Sequence, residues 1–383
     1  RLMGLREVAR PRSCLAAWLD EHGTWARHDT LAGDEYVVRT DIGYDVMQKA
    51  ARGLDQIAVF YRRFYGTDRR LQRGKTKVAL CRTRADFEAI APNPITQNPG
   101  LLAFISSLVR ITTEGSRVTR EIEFEIYGFD PRDVGRPLES LWPTLWHEAS
   151  HQYMKLALAG EPAPPWLDEG MASYFEGARV AYDGRVAVGL PLRERLDDLH
   201  GMLKGGARPL GELLEQEQGL PGHLYPVAWG LVYHLHHARD AEGRTAMRPV
   251  LRGAIEELAR GTSGSARGLF ETTVLHPLGQ DLEAFESEWI TAMLALHERE
   301  SAPAEYAREL TRRGEELLAA GELDLAREHF LDARLRAPGQ PESALGLSAI
   351  ALARWEAARK KDDDAADDAL RWARRAYDAA AAL

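Results

Sequence analysis

Apolar positions recur along this chain in two rhythms, one near two residues and one near 3.6, and the switches between them mark its elements. Tyr36-Val37-Val38 predicts a short strand, and Val46, Ala50, Leu54, Ile57 and Tyr61 share one face of an amphipathic helix over 44–65. A second strand is expected over 77–81. The clearest strand is 118–127, where Val118, Ile122, Phe124 and Ile126 alternate with Thr119, Glu121, Glu123 and Glu125, placing three carboxylates on its exposed side. Between these, 91–100 carries Pro92, Pro94 and Pro99 and reads as a surface loop.

From Leu138 the period turns helical, with Pro143 acceptable in a first turn and Trp142, Leu145, Trp146 and Ala149 apolar. Gly160, Pro162, Pro164 and Pro165 interrupt the pattern, and further helices are predicted over 166–179, 192–203, 227–239, 249–259 and 282–298. Ser301-Ala302-Pro303 reads as a boundary. Beyond it Gly314, Gly321, Ala326, Phe330, Ala333 and Pro338 fall at spacings that resemble a tetratricopeptide repeat. A degenerate second copy starts near Glu342, is interrupted by Lys360-Lys361-Asp362-Asp363-Asp364, and continues through Leu370 and Ala373. The expected organisation is an N-terminal helical extension over 1–33, a domain over 34–300 with an α/β part (34–137) and a mainly helical part (138–300), and a repeat-like helical segment over 301–383.

Length and composition widen what such a chain can do. Its 383 residues suffice for two or three domains with their own cores, and 45% hydrophobic with 28% charged residues is the balance of a folded chain. A net charge of -9 offers no basic face for phosphates, so nucleic acid is set aside as a partner. Two cysteines, Cys14 and Cys81, exclude a disulfide framework. No apolar run approaches the roughly 18 residues that span a bilayer.

The chemistry concentrates in His147-Glu148-Ala149-Ser150-His151, an HExxH motif inside a helical stretch. The four-residue step puts both imidazoles on one face, one turn apart, where two nitrogens can meet one ion. Neutral imidazole suits zinc, and a carboxylate beside the first ligand can serve as a general base. Chance supplies such a motif in a chain of this composition with a probability of about 0.03, so its surroundings matter. Eighteen positions beyond His151, Glu169 lies in Trp166-Leu167-Asp168-Glu169-Gly170-Met171-Ala172-Ser173-Tyr174-Phe175-Glu176, a second helix opening after two prolines.

The order HExxH, WLxEG and a later tyrosine-bearing helix resembles the gluzincins, within the peptidase-MA-like metallopeptidases, and in particular a bacterial group of unassigned function. The likeness runs from about Tyr36 to Glu298. It implies an α+β zincin-like fold in which a small mixed sheet packs on the HExxH helix and a mainly helical lobe follows. It further implies one Zn2+ held by His147, His151 and Glu169, with Glu148 as catalytic base, and an exported or cell-envelope location. Three protein ligands and one open position form the catalytic rather than the structural pattern for zinc. An oxyanion donor is expected on a later helix, and Tyr225 is the candidate, with His223 and Tyr233 behind it. Asp168, Tyr174 and Glu176 are candidates to orient the histidines.

His234, His236 and His237 read as packing or surface groups. Gluzincins bind extended peptides along a sheet edge beside the metal; if 118–127 is that edge, Glu121, Glu123 and Glu125 favour basic substrates. The expected function is zinc-dependent hydrolysis, with peptides or proteins as substrates. The alternatives are an inactive zinc-binding protein that docks a protein partner through its C-terminal helices, or hydrolysis of a non-peptide amide or ester.

Overall fold

The computed structural model describes residues 28–67, 71–91, 101–114, 117–180, 186–240, 244–245, 247–261 and 264–359. Cys14, the loop at 92–100, and the segment containing Lys360–Asp364, Leu370 and Ala373 lie outside these residues, as does most of the expected N-terminal extension.

A five-stranded sheet comes first, built from β1 (Asp29–Ala32), β2 (Tyr36–Thr40), β3 (Thr76–Cys81), β4 (Ala103–Glu114) and β5 (Arg117–Phe129). The order is β1-β2-β3-β5-β4, with β2, β3 and β5 parallel and the outer pairs antiparallel. Residues 29–32, expected at the end of a helical extension, form a strand. The 118–127 strand was conditionally expected at an edge, but β5 is interior; β4 bonds along it from Ala103 to Glu114 and takes the edge. β4 is another strand that hydrophobic alternation does not announce. Its apolar residues come as doublets, Phe104-Ile105 and Leu108-Val109, because an edge near the end of a long hairpin has no uniformly buried face.

Ile122, Phe124 and Ile126 of β5 are buried on one face. On the other face the carboxylates are neutralised: Glu121 lies 3.7 Å and Glu123 3.4 Å from Arg73, Glu123 3.3 Å from Arg110, and Glu125 2.7 Å from Lys77. They are committed to cations on and beside their own sheet, so the basic-substrate expectation loses both its edge and its free charge.

Helices pack on both sides of this sheet. α1 (Tyr44–Tyr65) follows β2 and ends on Gly66, whose φ of 64° is the left-handed turn that stops a helix. The short α2 (Arg84–Ile90) is capped by the Thr83 hydroxyl, which accepts the Asp86 amide at 3.1 Å, and Phe87 seals a small cluster with Phe104 and Phe129. α3 (Leu141–Ala157) carries the HExxH motif; α4 (Pro165–Glu176) starts with a proline at its first position, where no amide donor is needed. Gly53 lets α1 and α3 meet closely, since a Cβ there would sit 2.4 Å from the Trp146 ring.

The rest is largely helical: α5 (Arg193–Lys204), α6 (Leu210–Leu214), α7 (Tyr225–His237), α8 (Arg248–Ala259), α9 (Ala266–Phe270) running into a π turn, α10 (Leu282–Glu300), α11 (Pro303–Ala319), α12 (Leu323–Arg336) and α13 (Pro341–Arg359). The chain is therefore mixed α+β. It divides into two compact units that interleave along the sequence. The first holds the chain up to Val188 with Glu212–Val232 and Arg252–Val274; the second holds Gly189–Gly211, Tyr233–Leu251 and the chain from Leu275 onward.

Within the second unit, Phe330 of α12 packs where α11 and α13 each offer a glycine: a Cβ on Gly314 or Gly346 would lie 2.9 Å or 2.3 Å from its ring. Arg336 of α12 is almost fully buried and donates to Glu300 at 2.6 Å and to the Tyr233 hydroxyl at 3.2 Å. The helices after Ser301 are thus joined to α10 and α7 by a buried charge. Among the described residues no helix is long and apolar enough to cross a membrane.

Candidate metal centre

Two helices supply the centre. α3 contributes His147 and His151, whose rings meet edge to face with centroids 4.8 Å apart. α4 contributes Glu169, whose Oε2 lies 3.3 Å from His147 Nε2 and 3.6 Å from His151 Nε2. The three potential ligand atoms all fall within 4.8 Å of one another, a group that can hold a metal ion. Side-chain exposures of 12%, 10% and 21% make it sheltered yet reachable.

The donor set fits a divalent ion on two counts. Glu169 Oε2 is buried and accepts no hydrogen bond among the described residues, an arrangement that is expensive unless a cation answers it. Each histidine has its outer nitrogen engaged: His147 Nδ1 lies 2.7 Å from Glu176 Oε1, and His151 Nδ1 lies 2.9 Å from Asp168 Oδ1. With Nδ1–H donating to a carboxylate, the neutral ring keeps its Nε2 lone pair for the inside of the cluster. Of the three residues expected near the histidines, Asp168 and Glu176 each meet an Nδ1, while Tyr174 is buried with its ring against Phe175. One helix brings Glu169, the third potential ligand, and both carboxylates that meet the histidines.

Without a metal the charges settle on each other. Burial opposes a charged imidazole, but Glu169 and Glu176 outweigh it and raise His147 to about 9. Burial is likewise overcome at His151, where Asp168 and Glu169 raise it well above its ordinary value. Glu169 is held far below the usual carboxylate range, its burial overridden by His151 and His147.

Glu148, beside the first histidine, is 6% exposed. Burial raises its pKa against the pull of His147, His151 and the backbone at Ile105 of β4. The motif's carboxylate is thus buried beside the two histidines that flank it on α3.

α4 is seated on α7 with almost no gap. A Cβ on Gly170 would lie 2.8 Å from the Ala228 carbonyl oxygen and 2.7 Å from a Val232 methyl, so the residue after Glu169 must be glycine for the helices to touch. That need was unreadable from the sequence, where a helical glycine only lowers propensity. Tyr225, half-buried, opens α7 one turn before Ala228. His223 is exposed and bonds Glu212 at 2.8 Å, and the Tyr233 hydroxyl is taken by Arg336 in the second unit. His234 and His236 are buried within α7.

Comparison of the chain with known protein families, with curated proteins and with solved structures finds no match, so what can be said of its chemistry rests on His147, His151, Glu169 and their surroundings.

Proposed function

We propose that this chain is a zinc-dependent metallohydrolase of the gluzincin type, and that its reaction is peptide hydrolysis by activated water. The observation that carries the reading is the convergence of His147 Nε2, His151 Nε2 and Glu169 Oε2, with a carboxylate on each Nδ1 and Glu148 next in sequence. His147, His151 and Glu169 would hold the ion, leaving a position open to solvent and substrate. When bound there, zinc supplies Lewis acidity toward a carbonyl and lowers the pKa of water.

The chain's own groups do the rest. Asp168 and Glu176 fix the tautomer that turns each Nε2 inward. Glu148 takes a proton from the attacking water and delivers it to the leaving amine, a role suited to a buried carboxylate whose pKa is raised. Tyr225, at the start of the helix seated on Gly170, is the hydroxyl assigned to the developing oxyanion. β4, the outermost strand on its side of the sheet among the described residues, supports an extended peptide as the substrate.

Zinc content and cleavage of a broad peptide library, measured together on the native chain and Glu148→Gln, test the proposal. Stoichiometric zinc in both, with cleavage reduced at least about 100-fold in the variant, is expected. Zinc without cleavage in the native chain sinks the peptidase reading and leaves the partner-binding alternative; undiminished cleavage in Glu148→Gln sinks the role given to that carboxylate.

A further inference from the structure

α1 carries no metal ligand, yet it touches the HExxH turn at two polar points. The Tyr61 hydroxyl donates to the Trp146 carbonyl at 2.9 Å, and the Tyr65 hydroxyl shares a 2.7 Å hydrogen bond with Ser150 Oγ. Trp146 and Ser150 immediately precede the two histidines, and each pair of partners is separated by four residues. Two hydroxyls one turn apart on α1 therefore grip one turn of α3, the turn that holds His147 and Glu148.

Both phenols lie in the core, Tyr61 fully and Tyr65 at 7% exposure. Burial raises both pKa values, so both remain neutral hydroxyls under ordinary conditions. The aromatic bodies of the same residues touch α4: Phe175, next to Glu176, lies 4.7 Å from Tyr61 and 6.2 Å from Tyr65, centroid to centroid. Apolar packing alone would accept small rotations of α3, because ring faces and aliphatic groups have no strong angular preference. A hydrogen bond does have one.

We propose that Tyr61 and Tyr65 are positioning residues of the metal centre, whose hydroxyls fix the rotation of α3 about its axis and so the direction in which His147 and His151 present Nε2. The inference rests on the metal-centre reading above. Geometry gives the leverage. Imidazole nitrogens lie roughly 6 Å from a helix axis, so a 10° rotation moves them about 1 Å. Metal–ligand distances are held to about ±0.2 Å. A rotation that the core would hardly register is therefore large for the ion.

The experiment uses the full chain. Zn2+ affinity is measured by competition with a chromophoric chelator, and the visible d–d spectrum of the Co2+-loaded protein reports ligand geometry. Tyr61→Phe and Tyr65→Phe remove one oxygen each and keep the aromatic packing; Val46→Ala, at the far end of α1, supplies a packing loss without a hydroxyl. Each phenylalanine variant is expected to weaken Zn2+ binding about 3- to 10-fold and to alter the Co2+ spectrum, while Val46→Ala lowers thermal stability and leaves both unchanged. Ser150→Ala should match Tyr65→Phe, the two together should be no worse than either, and Ser150→Thr should restore the native values.

Zn2+ affinity within twofold of native and an unaltered Co2+ spectrum in the Tyr61→Phe/Tyr65→Phe double variant would overturn the positioning role, as would an equal metal effect from Val46→Ala. A native chain that takes up neither metal defeats the metal-centre reading itself, and the inference with it.

Discussion

Gly170→Ala is the substitution in which one carbon atom tests the most geometry. The added Cβ would lie 2.8 Å from the Ala228 carbonyl oxygen and 2.7 Å from a Val232 methyl, against ordinary carbon contacts of about 3.5–4.0 Å. The methyl can turn away. The carbonyl is helix backbone, so α4 and α7 must part by roughly 0.7–1.2 Å. Overpacking of this kind costs about 1–3 kcal/mol, and replacing a helical glycine by alanine returns about 1 kcal/mol, so the fold should lose only about 0–2 kcal/mol. The metal centre should suffer more, because Glu169 is the adjacent residue and ligand distances are held to about ±0.2 Å. We expect Zn2+ affinity to fall about 10- to 100-fold in chelator competition, with urea unfolding of the metal-free protein shifted only slightly. Peptide cleavage at saturating zinc should fall about 100-fold, since Tyr225 stands on the displaced helix. A variant more stable than native that binds zinc within twofold would refute the claim that this glycine sets the distance between the helices.

Two further outcomes follow from titrating groups. In the metal-free protein Glu169 and Glu176 raise His147 to about 9, so zinc must displace a proton there; calorimetry near pH 7.5 in buffers of different ionisation enthalpy should show proton release, and zinc affinity should climb as pH rises toward 9. The same shift stabilises the metal-free fold by on the order of 3 kcal/mol below the unfolded pKa near 6.5, and that stability is lost as pH rises through 9; an apo protein equally stable at pH 6.5 and 9.5 would contradict it. His234 behaves oppositely: burial lowers it to about 4, so about 3 kcal/mol disappears as pH falls from 6.5 to 4. Its ring is 3% exposed and meets Phe285 edge-on, so His234→Leu should flatten the acid side of the stability curve in urea titrations, and a curve parallel to native would show that this histidine is not the cause.

The parts of this structure that announce themselves in sequence are those with a strong local period. The helix expected from about Tyr44 to Tyr65 forms there, and 118–127 lies within β5 because Ile122, Phe124 and Ile126 meet helices while Glu121, Glu123 and Glu125 meet cations. β4 escapes because its partners are chosen by a hairpin and its outer side by nothing local. At the metal centre, the four-residue step of His147 and His151 is a local signal, and both orienting carboxylates belong to the same short helix as Glu169. The contacts that set angles and distances are different in kind. Tyr61 reaching Trp146, Tyr65 reaching Ser150 and Gly170 facing Ala228 join positions 58 to 85 residues apart, and each looks in sequence like an ordinary helical residue.

The interleaving of the two units places a demand on synthesis. α5 leaves the ribosome with Leu196, Leu199 and Leu203 on one face, but the helix it packs on, α10, comes some 80 to 100 residues later, where His297 meets Asp197 at 2.9 Å and Glu286 meets Arg208 at 3.1 Å. At translation rates of about 5–20 residues per second, that apolar face waits roughly 4 to 20 seconds for its cover. The first unit also stays open until Val274 has been made. The helices from Leu282 onward thus close a lobe begun nearly a hundred residues earlier, and in a growing chain the interval between them is the window in which a chaperone or a misfolded contact competes for α5.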